Sequence, residues 1–270
     1  MESQMKVLVT VKEVAVVQDG FEIAGTEIDD TYLSYDLNEW DNYAVEEAVQ
    51  LAEAGDDVEV VAVTIGPERS EETIRAALAK GADRAVRIWD DAIADAELLD
   101  VETKAQLLGT VVEREEPDLV LSGVQANDDN FGATGVALAE EVGFQWAAVV
   151  NALDTGNVLE EGVASVRREL EGGVEELTDI DLPAVLTIQT GINEPRYASL
   201  RGIRQAQSKE ISTWTIGDLG LTEDVAESSL NITAMYKPES ESDAEYFDGD
   251  ADKQAAQLAD ILRDKEVVAE

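Results

Sequence analysis

Residues 118–139 read DLVLSGVQANDDNFGATGVALA. Leu119, Val120 and Leu121 form a short apolar run of buried-strand type that ends at Ser122 and Gly123, and from Thr134 onward Val136, Ala137, Leu138 and Ala139 follow a helical pattern. The loop between them is polar. Asp128, Asp129 and Asn130 are favourable helix N-caps, and Gly132 and Gly135 allow backbone to approach a ligand closely, so several free N–H groups can face one anion. Spacing alone leaves an ordinary strand-to-helix turn equally open.

The same rhythm runs outward on both sides. Towards the N-terminus, MKVLVTV (5–11) has the β-branched character of a central strand, and a polar, irregular segment follows with Asp19, Gly20 and Gly25, read as a long loop. Asp36 or Asn38 caps a helix carrying Ala44, Ala48 and Leu51, which ends at Gly55. VEVVAVTI (58–65) is a second strand, 69–79 a helix, 84–89 a third strand and 101–114 a third helix. Strands alternating with helices of this length indicate a parallel sheet covered by helices.

After Gly143 the pattern changes. Segments 147–153, 163–170 and 174–180 are strand-like and joined by glycines, which predicts antiparallel hairpins added to the parallel core; Pro183 then introduces the strand AVLTIQ. The expected fold is α/β, an open, mostly parallel Rossmann-like sheet with added hairpins. Residues 1–214 make the nucleotide-binding domain, and 215–270 a C-terminal arm with an acidic linker at 237–250 and a terminal helix bearing Ala255, Leu258 and Leu262 on one face. Arg196 and Arg201 in the loop TGINEPRYASLRGI, with Arg204 directly after it, form a cluster that either compensates nearby carboxylates or makes a docking surface.

Charge narrows the function. Nineteen Lys and Arg against 60 Asp and Glu give a formal net charge of -41, with the acidic residues interspersed through periodic segments. A folded protein with such a surface repels itself at low ionic strength, and a Debye length of about 3 Å at 1 M salt would relieve this, which predicts a halophilic protein. Duplex nucleic acid and anionic membranes are poor partners for it. The chain contains no Cys and no His, which excludes disulfides, thiolate catalysis and a Ser-His-Asp arrangement. The N-terminus lacks a signal-peptide design and no stretch is apolar enough to span a bilayer, so a soluble, cytoplasmic protein that is not membrane-embedded is expected.

Over residues 5–220 the chain resembles the β subunit of electron transfer flavoproteins. The resemblance rests on VLVTVKEV, AVEEAVQLAE, GPERSEETIRAALAKGADRAV, LVLSGVQANDDNFGATG, VRRELEGGVEEL, LPAVLTIQ and NEPRYASLRGI, in that order. It implies a non-enzymatic electron-carrier subunit. Its partner would be an α subunit carrying most of the redox FAD, and the heterodimer would relay electrons from dehydrogenases to a quinone-reducing acceptor. The nucleotide site implied by the resemblance falls on Thr10, on Asn38, Glu39, Trp40 and Asp41, and on Ile65. It continues along the run Asp128, Asp129, Asn130, Phe131, Gly132, Ala133, Thr134, Gly135, Val136, Ala137, Leu138 and Ala139. That pocket holds structural AMP in ordinary members and a second FAD in the bifurcating branch. The wording here looks closer to the nitrogen-fixation (Fix) type, yet lacks the DGDTAQVGP form of another bifurcating branch. Leu200 matches the leucine that docks dehydrogenases, flanked by Arg196, Tyr197 and Arg201; Glu169 matches a hairpin glutamate facing the mobile flavin domain. One extra residue between Gly173 and Pro183 suggests a bulge there.

Two other classes are compatible with an α/β sheet. A nucleotide-hydrolysing enzyme would need a phosphate loop of GxxxxGK[ST] type, which is absent. A stand-alone nucleotide-binding regulator of universal-stress type would form a homodimer without flavin.

Overall fold

The computed structural model describes residues 4–238, 244 and 246–265, in two compact units, Met1–Met235 and Tyr236–Glu270. The first unit opens with β1 (Met5–Thr10), followed by β2 (Glu13–Val17), the short strands β3 (Ile23–Ala24) and β4 (Glu27–Ile28), β5 (Leu33–Leu37) and helix α1 (Glu39–Ala54). Next come β6 (Val58–Ile65), α2 (Glu71–Lys80), β7 (Arg84–Ile88), α3 (Asp91–Ala94), α4 (Val101–Glu115), β8 (Leu119–Gly123) and α5 (Thr134–Val142). Beyond them lie β9 (Gln145–Leu153), α6 (Thr155–Glu161), β10 (Val163–Glu169), β11 (Glu175–Asp181), β12 (Ala184–Ile188), α7 (Leu200–Ala206), β13 (Ile211–Trp214) and α8 (Ile216–Leu219). The second unit, described by itself, contains α9 (Ala251–Asp264), capped by Asp250, whose carboxylate accepts the Lys253 amide at 3.0 Å. The acidic linker expected at 237–250 falls partly outside the described residues.

Among the described residues one nine-stranded sheet has the order β11-β10-β9-β12-β8-β1-β6-β7-β13. β10 runs antiparallel to both β9 and β11, while the remaining neighbours are parallel. The central strands are apolar on both sides because helices cover both faces. On one face Val7, Val9, Leu119, Leu121 and Leu186 pack with Ala44, Ala48 and Leu51 of α1 and Ile74 and Leu78 of α2. On the other, Leu8, Val61, Val120 and Val185 meet Leu107 and Val111 of α4, Leu138 and Ala139 of α5, and Ile216 and Leu219 of α8. Each such fully buried Leu, Ile or Val contributes about 1.5–3 kcal/mol of transfer free energy. Residues 215–235 belong to the first unit; Ile216, Leu219 and Ala226 are buried in its second core.

Two expectations need correction. The segment after β1 is not a plain loop: β2 and β5 pair antiparallel from Glu13 opposite Leu37 to Val17 opposite Leu33. Half-exposed Val16, Val17 and Tyr35 gave that ribbon no clear period of burial. The bulge is also elsewhere. β10 and β11 pair without a break from Val163 opposite Asp181 to Glu169 opposite Glu175, whereas β9 shifts register against both β10 and β12. Val149 in β9 takes a φ of 61°, and its amide donates to the Thr187 hydroxyl at 3.0 Å. Paired with neighbours of different direction on its two sides, β9 carries the irregularity.

Candidate functional site

Chain order reverses between β1 and β8: from β1 the chain moves out through β6 and β7, then returns to build β8 and β12 on the other side. Helices diverge at such a reversal and leave a crevice at the carboxyl ends of the strands. Here it is a cleft of 440 Å³, within the range of small-molecule sites. It extends from the end of β8 across β1 and β6 to the segment after β7. At about 4.8 Å per strand spacing, the span from β8 to β7 is about 14 Å. Trp89, Ile93, Leu98 and Leu99 give it an apolar side; Lys12, Lys104, Asp128 and Asp129 give it a charged one.

The loop after β8 is held by α1. Asn38 stands at the N-cap of α1 but does not cap it with its side chain. Instead its Nδ2 donates to the Gln125 carbonyl at 2.8 Å and its Oδ1 accepts the Asn127 amide at 3.2 Å. Asp41 accepts the Lys12 amide at 2.8 Å and the Gly123 amide at 3.0 Å, tying the ends of β1 and β8 together. Burial drives its carboxyl up to about 7, against the pull of those amides. A side chain at Gly123 would meet Asp41 Oδ1 at 2.5 Å and Trp40 Cβ at 2.7 Å, so only glycine admits α1 this close.

Asp128, Asp129 and Asn130 do not cap α5, contrary to the sequence reading. The N-cap is Ala133, which offers no side-chain acceptor, so the first-turn amides of α5 keep their donors free of any cap. Asp128 and Asp129 instead bind Lys12, at 2.5 Å and 2.8 Å, and Asp129 also binds Lys104 at 2.5 Å. Burial alone would raise Asp129, but the Lys104 and Lys12 ammonium groups hold it below the usual carboxylate range. Burial lowers Lys104, with Asp129 working against it, and its Nζ lies 4.9 Å from the centre of the Phe131 ring.

Of the positions implied by the resemblance, the structure brings Thr10, Asn38, Asp41, Ile65, Asp128, Asp129, Gly132, Ala133 and Thr134 together in the cleft wall. Others stand behind it. The Glu39 amide donates to Asn127 at 3.4 Å and the Trp40 indole to Gln189 at 3.0 Å. Asn130 supplies the left-handed turn at φ 51°, and Phe131 lies under Lys104. Gly135 is required by helix–sheet packing, since a Cβ there would lie 2.6 Å from Thr187 Cγ2. Val136 and Ala137 are half-buried in α5; Leu138 and Ala139 belong to the core. Sequence reasoning missed Lys12, Lys104, Trp89 and Thr64. The Thr64 hydroxyl, buried in the cleft wall, has no partner among the described residues. The Lys12 signal was in the quoted VLVTVKEV, one residue past the apolar run.

On a separate surface Tyr197 is 98% and Leu200 78% exposed, with exposed Arg201 beside them. Arg196 is not part of that exposed set: its guanidinium is engaged by Glu46 and Glu53 of α1. Glu169 is exposed at the end of β10, opposite Glu175.

Residues 26–219 match the electron transfer flavoprotein domain. The chain is 44% identical over 266 residues to an electron transfer flavoprotein subunit beta of Methylophilus methylotrophus, covering 96% of this chain and 98% of the relative. The subunit beta of Bacillus subtilis is 32% identical over 259 residues, covering 96% and 98%. That of Homo sapiens is 39% identical over 239 residues, covering 87% and 90%. With its open α/β sheet, switch-point cleft and matching length, this chain belongs to the electron transfer flavoprotein family, as a β subunit.

Proposed function

We propose that the cleft binds the phosphate of an adenine nucleotide at the N-terminus of α5, between Lys12 and Lys104, and that the chain works as half of a heterodimeric electron carrier. The observation that carries this is the uncapped α5 terminus opening on a cleft that also presents two ammonium groups. An arriving phosphate competes with Asp128 and Asp129 for those ammonium groups, and the amides of Thr134 and Gly135 supply donors that no side chain of the loop takes. The cleft has one apolar side for a base and one charged side, where two lysines stand with two aspartates beside the free amides of α5, for a phosphate; this fits a mononucleotide, so AMP is the proposed ligand. A second FAD, as in a bifurcating Fix-type complex, is the alternative occupant of the same cleft.

In this reading the α subunit holds most of the redox FAD, which takes up and passes on electrons. This chain supplies position, nucleotide binding and the docking turn around Leu200 for dehydrogenases; the quinone-reducing acceptor takes the electrons onward. No residue here acts as catalyst. No helix among the described residues is long and apolar enough to cross a membrane, and we place the protein in a high-salt cytoplasm, where its charge of -41 is screened.

The test is co-purification with the α subunit in molar KCl, denaturation, and quantification of released nucleotides per heterodimer. One FAD and one AMP, with AMP lost in Lys12→Ala/Lys104→Ala, supports the proposal. Two FAD and no AMP would make the cleft a flavin site. A flavin-free homodimer would instead favour the regulator of universal-stress type.

A further inference from the structure

The exposed turn around Leu200 is short, and α7 has only seven residues, far below the length at which an isolated helix is stable in water. It is nevertheless tied down at both ends by side chains from α1 and α2. Ahead of it, the Arg196 Nε and Nη2 bind Glu46 at 2.9 Å and 3.0 Å, and Nη1 and Nη2 bind Glu53 at 2.5 Å and 2.8 Å. The Arg196 amide also donates to Glu46, at 2.9 Å. Asn193 adds bonds to the Tyr43 carbonyl at 3.1 Å and to Glu47 at 2.9 Å. Behind it, Arg75 Nη1 donates to the Ala206 carbonyl at 2.5 Å and the Lys209 carbonyl at 3.0 Å, and Lys209 Nζ reaches back to the Ala82 carbonyl at 2.5 Å. In the middle, Gly202 lies directly against the Ala79 carbonyl, where any side chain would overlap it.

These contacts leave the apolar residues outward. Tyr197, Leu200 and Ile203 are exposed while Ala206 is fully buried against α2. We infer that Arg196 is a positioning residue: by clamping the chain to Glu46 and Glu53 of α1, it holds the Tyr197–Leu200–Ile203 face in the shape a dehydrogenase recognises, without itself touching that partner. The inference rests on the docking role proposed above for Leu200. Glu46 is the inner half of the clamp, with its side chain 4% exposed, and Glu53 the outer half, 60% exposed. Arginine suits the task because its rigid planar fork makes paired hydrogen bonds to each of two carboxylates at once, a fixed geometry that the rotating three-donor ammonium of lysine does not impose.

A clamp of this kind acts on the fraction of molecules that are ready to bind. If its loss leaves the turn in the docking shape for about a tenth of the time, the apparent affinity for the partner falls about tenfold. The chemistry after docking is untouched.

The experiment uses the heterodimer with its α subunit and a purified flavin-containing dehydrogenase as electron donor, in molar KCl. Arg196→Ala, Arg196→Lys, Glu53→Gln and Leu200→Ala are compared for KM, kcat, nucleotide content and amide exchange at residues 197–206. Arg196→Ala is expected to raise KM about tenfold with kcat and nucleotide content unchanged and with faster exchange across 197–206. Glu53→Gln, at the exposed end of α1, gives a smaller rise in the same direction and serves if Arg196→Ala fails to fold. Arg196→Lys restores part of the affinity. Leu200→Ala raises KM without changing amide exchange. A raised KM in Leu200→Ala beside unchanged KM in both Arg196→Ala and Glu53→Gln would overturn the clamp and leave the docking role standing. If Leu200→Ala does not move KM, the docking role fails and the clamp's purpose with it.

Discussion

Asp41→Asn separates the energetic role of the cleft floor from that of the ligand. In the unfolded chain the Asp41 carboxyl titrates at its ordinary value of 3.8; in the folded protein burial raises it to about 7. Between those values the native state holds a proton that the unfolded state has lost. Stability from this group is therefore fully present below the unfolded value and is lost as pH rises towards 7. At about 1.4 kcal/mol per pH unit, the whole window is worth about 4 kcal/mol. The Asn variant cannot titrate. It keeps one acceptor oxygen for two amides, those of Lys12 and Gly123, and so carries a constant penalty of about 1–3 kcal/mol. The informative quantity is the slope, not the level. Denaturant unfolding in molar KCl at a series of pH values should show the wild type losing stability relative to Asp41→Asn between about pH 4 and 7. Asp100, Glu115 and Asp129 have lowered values, so their contributions fade only in more acidic solution. They cancel in the comparison in any case. A difference between the two proteins that stays constant across the window would mean that Asp41 is ionised throughout, and the assignment of burial as the dominant effect would be wrong.

Other consequences are simpler to test. Asp100 caps α4 through the Thr103 amide at 2.9 Å and also accepts the Ser229 amide and hydroxyl, each at 2.8 Å. Asp100→Ala should cost about 2 kcal/mol in chemical denaturation, with faster exchange at Ser229; an effect under about 0.5 kcal/mol would refute the shared anchor. Gly202→Ala, which drives a methyl into the Ala79 carbonyl, should cost about 1–3 kcal/mol and loosen α7, seen as lost amide protection at Ile203. With a net charge of -41, the melting temperature should climb steeply from dilute to molar KCl, and a flat response would remove the case for a halophilic protein.

Local patterns were the most legible. VEVVAVTI became β6 over the same residues, and the alternation of strands and helices up to α5 followed the expected order, because burial on both faces imposes apolar runs that need no knowledge of the neighbours. Of the glycines of GVQANDDNFGATG, Gly123 and Gly132 line the cleft. Their individual duties were not readable: Gly123 and Gly135 are required by the approach of α1 and β12, elements far away in sequence. The aspartates of the same loop looked like helix caps, since Asp at such a place normally serves its own backbone. Here they accept amides within the loop, Phe131 to Asp129 at 3.2 Å and Asp129 to Asp128 at 2.8 Å, and also pair with Lys12 and Lys104, an ion pair that exists only once β1 and α4 have been placed beside β8. The partner of Arg196 was hidden for the same reason: compensation of carboxylates was one of two open readings, and nothing near it in the sequence discloses Glu46, 150 residues away.

The sequence by itself therefore determined the α/β class, the acidic surface, the absence of cysteine and histidine chemistry and the family to which the chain belongs. Each of these follows from composition, short-range periodicity or ordered motifs. The tertiary structure decided which charges meet: Asp41 with the amides at the ends of β1 and β8, two lysines with two aspartates across the cleft, and Arg196 with Glu46 and Glu53 of α1. Such pairings depend on strand order and helix placement, and strand order is set by packing over the whole sheet, so no local stretch of sequence encodes them.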